Sequence, residues 1–182
     1  MAKPTRDAGA AAPPIETERL LLRGHRLSDF DALAATWADP AVVRHISGTP
    51  SSPGDSWARL LRYAGHWALL GYGFWALEER STGRFVGEVG FGDFRRAIDP
   101  PITAPEMGWV LSPWAHGKGY ATEAARAACA WGLAHFGPVE IACIIDPDNE
   151  ASIRVAEKVG FREKLRTTYL GGPTVLFTST LG

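Results

Sequence analysis

The chain has 182 residues, of which 46% are hydrophobic and 21% charged, and its formal net charge is −1. This length suits one domain with a core of its own, and the near-zero charge argues against nucleic acid or a membrane surface as the main partner. Two cysteines, Cys129 and Cys143, are too few for a disulfide framework and lie in apolar runs, so we expect buried, reduced thiols.

The first residues, 1–14, are rich in alanine and proline and contain no continuous apolar stretch. We expect them to form a flexible N-terminal tail in front of one domain that spans residues 15–182. They lack the apolar segment of a signal peptide, and no window of about 18 apolar residues occurs in the chain. A cytoplasmic protein is therefore the default expectation.

The first half of the chain predicts one strand and two helices. Residues 15–23 end in a short apolar run without helical periodicity, which favours a strand. A helix is expected to begin at Ser28, which can cap it, and to end at Asp39-Pro40, because a residue before proline disfavours helical backbone. A second, amphipathic helix follows the turn-like residues 49–54 and spans residues 55–70.

From residue 74 onward, strands alternate with two further helices. In chain order these are strands at 74–77, 85–91 and 106–111, a helix at 119–136, a strand at 139–145, a helix at 149–159, and strands at 161–170 and 174–180. Ser81-Thr82-Gly83 predicts a hairpin turn, and the proline-rich residues 95–105 predict a loop that lines a site. The whole order predicts a mixed α/β domain, with a mostly antiparallel sheet of about seven strands and about four helices on its two faces.

A glycine-rich segment, residues 114–124, lies between an apolar strand and a long helix. Gly117 and Gly119 let the backbone curl so that successive N–H groups point one way, and the helix start adds unpaired donors and a positive dipole end. Such a segment binds an anion, most naturally a pyrophosphate. It fits neither G-x-x-x-x-G-K-[ST] nor G-x-G-x-x-G, because Lys118 lies between the glycines and Thr122 stands at the third glycine.

The same segment resembles the Q/R-x-x-G-x-G/A signature of the GCN5-related N-acetyltransferase (GNAT) family, with His116 at the first position and Gly119 and Ala121 at the last two. Residues 17–23 resemble the family's opening strand. Two downstream elements are similar to its N-x-x-S and E-K-x-G-F elements, namely Asn149-Glu150-Ala151-Ser152 and Glu157-Lys158-Val159-Gly160-Phe161. From residue 15 to its end the chain thus resembles this family, particularly the branch that acetylates the N-termini of ribosomal proteins.

The resemblance implies acetyl-CoA as the cofactor and a sheet that splays between its fourth and fifth core strands, residues 106–111 and 139–145. The amides of the glycine-rich loop would hold the pyrophosphate, the fourth strand would bind the pantetheine arm, and Asn149 would both cap its helix and bind a pantetheine amide. The residues assigned to the cofactor are Trp109, Val110, Leu111, His116, Gly117, Lys118, Gly119, Tyr120, Ala121, Thr122 and Asn149.

The implied reaction is direct attack of a neutral primary amine on a thioester in a ternary complex. It needs a base for the ammonium and a proton for the leaving thiolate. For the base we favour Glu106, at the start of the cofactor strand, over Glu88 and His45. The tyrosine that many family members use as proton donor is replaced by Ala156, so we expect Ser152 or a bound water to take its place.

The sequence leaves the acceptor open between a peptide N-terminus, a small polyamine and an antibiotic amine. The segments that bind it in the family carry aromatic and acidic residues that tolerate a cation without naming one: Trp37, Trp57, Trp67, Tyr72, Phe94, Asp93 and Asp99. The five histidines are scattered without ligand-spaced partners, so no metal site is predicted. We expect a monomer or a homodimer.

Two functions compete with the N-acetyltransferase. A non-catalytic acyl-CoA-binding sensor is favoured by the missing tyrosine and the uncertain base. An ATP-binding α/β protein would need an acidic magnesium ligand after a strand; Asp146 stands in such a place, but Pro147 after it favours a turn.

Overall fold

An eight-stranded mixed sheet forms the centre of the molecule, in a computed structural model that describes residues 11–182. Its strands are β1 (Ile15–Glu16), β2 (Leu20–Arg23), β3 (Phe74–Glu79), β4 (Phe85–Gly92), β5 (Glu106–Leu111), β6 (Glu140–Ile145), β7 (Arg162–Tyr169) and β8 (Gly172–Thr180). They lie in the order β1-β2-β3-β4-β5-β6-β8-β7. All neighbours are antiparallel except β5 and β6, which are parallel. The prediction of a mixed, mostly antiparallel sheet is thus confirmed.

In the described part of the chain, five α-helices flank this sheet: α1 (Phe30–Ala38), α2 (Pro40–Val43), α3 (Pro53–Leu70), α4 (Tyr120–Phe136) and α5 (Glu150–Lys158). Ser52 and Asp55 form a capping box at the start of α3, and Gly71 ends that helix with a φ of 73°. Within residues 11–182, none of the helices is long and apolar enough to cross a membrane.

The counts of strands and helices differ from the prediction by one each, for local reasons. Residues 15–23 form a hairpin rather than one strand, because Thr17 turns the chain and donates its N–H to the Leu20 carbonyl at 2.9 Å. Asp39 ends α1, but its carboxylate also accepts from the Ala41 N–H at 2.8 Å and starts α2, where Pro40 fits the first helical position. The predicted cap Ser28 is not used, since it lies within a short 3-10 turn, Leu27–Asp29, and α1 begins only at Phe30.

The first ten residues of the predicted tail lie outside the described residues. Of the remaining four, Pro13 accepts a hydrogen bond from the Trp75 indole N–H at 2.8 Å, and Ala12 packs against the core. Residues 11–14 therefore contact the domain.

Apolar residues cover both faces of the sheet and fix which helices lie on each. On one face, large side chains such as Trp75 and Phe91 pack against the small residues Ala124, Ala125 and Ala128 of α4. Small residues on α4 let the helix approach the sheet closely. On the other face, a second cluster joins α1, α2 and α3 to β3 and β4 through Leu33, Trp37, Val43, Leu60, Ala76 and Phe85.

The sheet opens between β5 and β6. These two strands share one register pair, Glu106 and Ala142, whereas β5 pairs with β4 over six residues and β6 with β8 over six. Beyond this pair the parallel strands diverge toward their carboxyl ends. The predicted splay is present, and it leaves backbone groups of β5 without a neighbouring strand.

Candidate active site

A cleft of about 680 Å³ fills the opening between β5 and β6. It is bounded by β5, the start of α4, the start of α5 and residues 41–46 after α1. The predicted site residues that line it are Trp109, Val110, Leu111, His116, Gly117, Gly119, Tyr120, Ala121, Thr122, Asn149 and Ser152. Two predicted residues, Glu106 and Lys118, are not among its walls. The structure therefore brings together predicted site residues that lie up to 43 positions apart in the chain.

The glycine-rich loop forms a concave backbone surface at one end of this cleft. Gly117 and Gly119 have φ values of 74° and 81°, a conformation that favours glycine, and α4 begins at Tyr120 directly after them. The N–H groups of the first helical turn have no intrahelical acceptor. No atom lies within 4 Å of where a Cβ would stand on Gly117, so the loop is open to a ligand. This geometry suits a diphosphate.

A network of hydrogen bonds and an ion pair, which the sequence did not predict, supports the glycine-rich loop. Glu123 in the first turn of α4 accepts hydrogen bonds from the Thr17 hydroxyl at 2.6 Å and from the Arg19 backbone N–H at 2.9 Å. The Arg19 side chain pairs with the same carboxylate at 2.6 Å and donates to the Lys118 carbonyl at 2.9 Å. Together these pairs hold the backbone of the loop and the first turn of α4 in place. Nothing in the local pattern connects residues more than 100 positions apart.

Two loop side chains have fixed positions of their own. The His116 Nε2 lies 2.8 Å from the Leu111 carbonyl, and since a carbonyl only accepts, this nitrogen carries the proton. The Lys118 ammonium lies 4.6 Å from the centre of the Trp114 ring, outside the cleft. Lys118 therefore contributes its backbone to the loop, while its charge rests on an aromatic face.

The start of α5 presents polar groups to the opposite wall. The Asn149 side-chain oxygen accepts from the Ser152 N–H at 3.1 Å, as expected for a helix cap. Among the described residues its carboxamide NH₂ makes no hydrogen bond, so this donor is available to a ligand in the cleft. Ser152 is half-buried and lines the same wall.

Glu106 lies at the vertex of the splay and is tied to an arginine. Its carboxylate is buried and accepts from the Arg96 Nε at 2.8 Å on both oxygens, and the Arg96 Nη2 lies 2.7 Å away. Arg96 also donates to the Tyr169 hydroxyl at 3.0 Å. The ion pair fixes the proline-rich loop to the sheet and to β7. To act as a base, Glu106 would have to give up this partner.

Of the three residues considered as the general base, only His45 lines the cleft. It follows α2, in the segment that covers the opening, and its Nδ1 lies 3.4 Å from the Asp146 Oδ2 on the other side. Arg44, beside it, is exposed and also lines the cleft.

Comparison with known proteins agrees with this architecture. A model of the acetyltransferase (GNAT) domain family matches residues 19–162, which is most of the chain. The chain belongs to the GNAT family. It is 41% identical over 156 residues to the YkkB protein of Bacillus subtilis, covering 82% of this chain and 86% of that protein.

Solved GNAT structures have the same fold. A GnaT-family acetyltransferase from Bordetella pertussis superposes with a TM-score of 0.80 at 26% identity, covering 92% of this chain and 99% of that one. RimL, the ribosomal L7/L12 α-N-protein acetyltransferase solved with coenzyme A, has a TM-score of 0.75 at 15% identity, covering 93% and 98%. At that identity RimL shows the shared fold alone. The protein is an acetyltransferase, which leaves the ATP-binding alternative without support.

Glu88, the third candidate base, is enclosed within this GNAT domain. It is 1% exposed and accepts from the Trp37 indole N–H at 2.9 Å, while the Arg59 guanidinium stacks on Trp37 at 3.4 Å from the ring centre. Burial raises the pKa of its carboxyl to about 7, although the Trp37 hydrogen bond opposes the rise. Its register partner Val110 lines the cleft, but Glu88 itself does not.

The pH dependence of stability reports on this carboxyl. Between pH 4.5 and 7 the unfolded chain has lost the Glu88 proton that the folded chain keeps, so Glu88 makes stability fall as pH rises, by about 1.4 kcal/mol per unit. Burial lowers the pKa of His25 from 6.5 to about 4. Between those two pH values the unfolded chain binds a proton that the folded chain does not, so His25 makes stability rise with pH. The two slopes oppose each other.

Glu88→Gln removes the contribution of Glu88 to the pH dependence of stability. We expect the free energy of unfolding of this variant, measured by urea titration between pH 5 and 6.5, to gain about 1.4 kcal/mol per pH unit relative to the wild type. The matched control is Glu140→Gln, whose carboxylate forms an exposed pair with Lys164. A Glu88→Gln curve that runs parallel to the wild type would show that Glu88 ionises normally.

Proposed function

We propose that this protein transfers an acetyl group from acetyl-CoA to a primary amine by direct attack in a ternary complex. The observation that carries the proposal is the cleft at the β5–β6 splay, which ends at the positive-φ loop of Gly117 and Gly119. RimL, which shares the fold, was solved with coenzyme A. A loop that offers backbone donors to a diphosphate at the end of a cleft of this size suits that ligand.

The chain's donors are distributed along the cleft as coenzyme A requires. Backbone N–H groups from Gly117 to Ala121 would hold the diphosphate, and the unpaired edge of Trp109, Val110 and Leu111 would bind the pantetheine arm as a neighbouring strand would. The free carboxamide NH₂ of Asn149, on the cleft wall, would donate to the same arm. Lys158 lines the cleft and adds positive charge for phosphate groups.

Neither cysteine supports a covalent route through an acetylated thiol. Burial raises the pKa of Cys129 to about 11, and burial with the neighbouring Glu106 charge raises the pKa of Cys143 well above its usual value. Both thiols therefore stay protonated near neutral pH, and a protonated thiol is a poor nucleophile. This favours direct attack by the amine. Acetyl-CoA supplies the thioester. The chain has to bind this cofactor, orient the amine against it and move the protons.

Ser152 is proposed to pass a proton to the departing sulfur. We expect Ser152→Ala to lower kcat by about a hundredfold, at the low end for a general acid because a thiolate leaves readily. The loss should shrink above about pH 9, where a thiolate needs no proton to leave. Thiol release against pH measures both effects. Ser81→Ala, on the exposed β3–β4 hairpin, is the control, and an unchanged kcat in Ser152→Ala would assign the proton to water.

The decisive experiment measures thiol release from acetyl-CoA with peptide N-termini, polyamines and aminoglycosides, beside calorimetric binding of acetyl-CoA. Release that depends on one class of amine supports the transferase and names its acceptor. Binding without release from any amine supports the acyl-CoA sensor instead. Absence of binding contradicts the proposal altogether.

A further inference from the structure

His45 and Asp146 meet across the mouth of the cleft although they lie 101 positions apart. His45 follows α2 on one side, and Asp146 follows β6 on the other. The His45 Nδ1 and the Asp146 Oδ2 are 3.4 Å apart, and the two side chains are 19% and 31% exposed. The contact is therefore sheltered, and its histidine lines the cleft.

The Asp146 carboxylate is held in place by its own turn. Its Oδ1 accepts from the Asp148 N–H at 2.8 Å, and its carbonyl accepts from the Asn149 N–H at 2.9 Å. The other oxygen, Oδ2, is left for His45. The same short turn thus fixes Asp146 and the cap of α5, so that the carboxylate cannot easily rotate away from the imidazole.

These contacts determine the tautomer of His45. A carboxylate only accepts, so Nδ1 carries the proton and Nε2 has a lone pair. That lone pair accepts from the Arg44 Nε at 3.1 Å. Arg44 is exposed and has no carboxylate partner among the described residues, so an incoming ammonium can take its place. The neutral imidazole is then ready to accept a proton at Nε2.

We propose that His45 is the general base of the acetyl transfer and that Asp146 is the residue that positions it; the inference rests on the proposed function. The ammonium gives one proton to Nε2, and the imidazolium formed is paired with the Asp146 carboxylate. The amine nitrogen then bonds to the acetyl carbon as the carbon–sulfur bond breaks. Its second proton reaches the sulfur through Ser152 or water, and His45 returns the first to solvent.

The alternatives at other positions are weaker for geometric reasons. Glu106 is neutralised by Arg96, and Glu88 is enclosed below the cleft floor. His45 alone of the three combines a lone pair with a position on the cleft wall. Asp146 gives this residue the orientation that a lone loop histidine would lack.

The test compares His45→Gln and Asp146→Asn with the wild type in kcat against pH, with Asp31→Asn on the exposed face of α1 as control. We expect His45→Gln to lose at least a hundredfold in kcat, together with the acid limb of the profile, and His45→Ala to be partly rescued by added imidazole. Asp146→Asn should lose at least tenfold, because an amide NH₂ facing Nδ1 favours the tautomer with the proton on Nε2. In both variants the KM for acetyl-CoA should change by a smaller factor than kcat does.

A second readout does not depend on turnover. The ¹⁵N shifts of the His45 imidazole should report the Nδ1–H tautomer in the wild type and the Nε2–H tautomer in Asp146→Asn, with thermal unfolding confirming that the variants are folded. If the wild type is active and both variants keep kcat within threefold, the dyad is refuted while the transferase stands. An Nε2–H tautomer in the wild type refutes it as well. Absence of turnover with every amine overturns the transferase and the dyad together.

Discussion

Gly87→Ala is expected to lower the free energy of unfolding by about 3 kcal/mol or more. Gly87 lies in β4 with a φ of 150°, and a Cβ there would overlap the Val110 carbonyl oxygen and the Leu111 Cα of β5. Both are backbone atoms of the next strand, so no side-chain rotation can relieve the overlap. β5 would have to move, and because this strand walls the cleft, we also expect acetyl-CoA to bind more weakly.

Urea unfolding followed by tryptophan fluorescence measures the loss. Gly65→Ala is the matched control: Gly65 lies within α3, and nothing lies within 4 Å of its Cβ position. There we expect a gain of about 0.5–1 kcal/mol, because alanine is the better helix former. A Gly87→Ala protein as stable as the wild type would mean that β4 and β5 are not packed this closely.

Glu106→Gln is expected to lower the free energy of unfolding by about 3 kcal/mol, because it leaves the Arg96 charge half-buried without its partner. We place the effect at the low end for a buried pair because 24% of the Arg96 side chain reaches solvent. Glu140→Gln breaks the exposed pair with Lys164 and should change stability by about 1 kcal/mol at most. Equal losses in the two variants would contradict the buried character of the Glu106 pair.

A double variant separates the structural role of Glu106 from catalysis. Arg96→Gln with Glu106→Gln removes both charges and lets two amides pair, so stability should return toward the wild type. If Glu106 only fixes the loop, kcat returns with stability. If Glu106 is the base, kcat stays low in a protein that is stable again. Measuring kcat and unfolding on the same samples distinguishes the two.

Local signals account for the parts of the fold that the sequence predicted well. Apolar runs, the turn-like residues 49–54 and the capping residue Asn149 act within a few residues of where they stand. Most helix and strand bounds were therefore predicted to within a few residues. The hairpin at Thr17 was missed because a threonine turn just before the apolar run leaves no glycine or proline as a marker.

The sequence by itself determined the glycine-rich loop, the helix cap at Asn149 and the order of strands and helices, because each is encoded in short segments whose backbone preferences are intrinsic. The tertiary structure alone decided the partners of the ionisable groups: Glu106 with Arg96, Glu123 with Arg19, and His45 with Asp146. These pairs arise where distant segments meet at the splay of the sheet. The charge state and orientation of a side chain depend on what lies within a few ångströms, and chain order does not specify that distance.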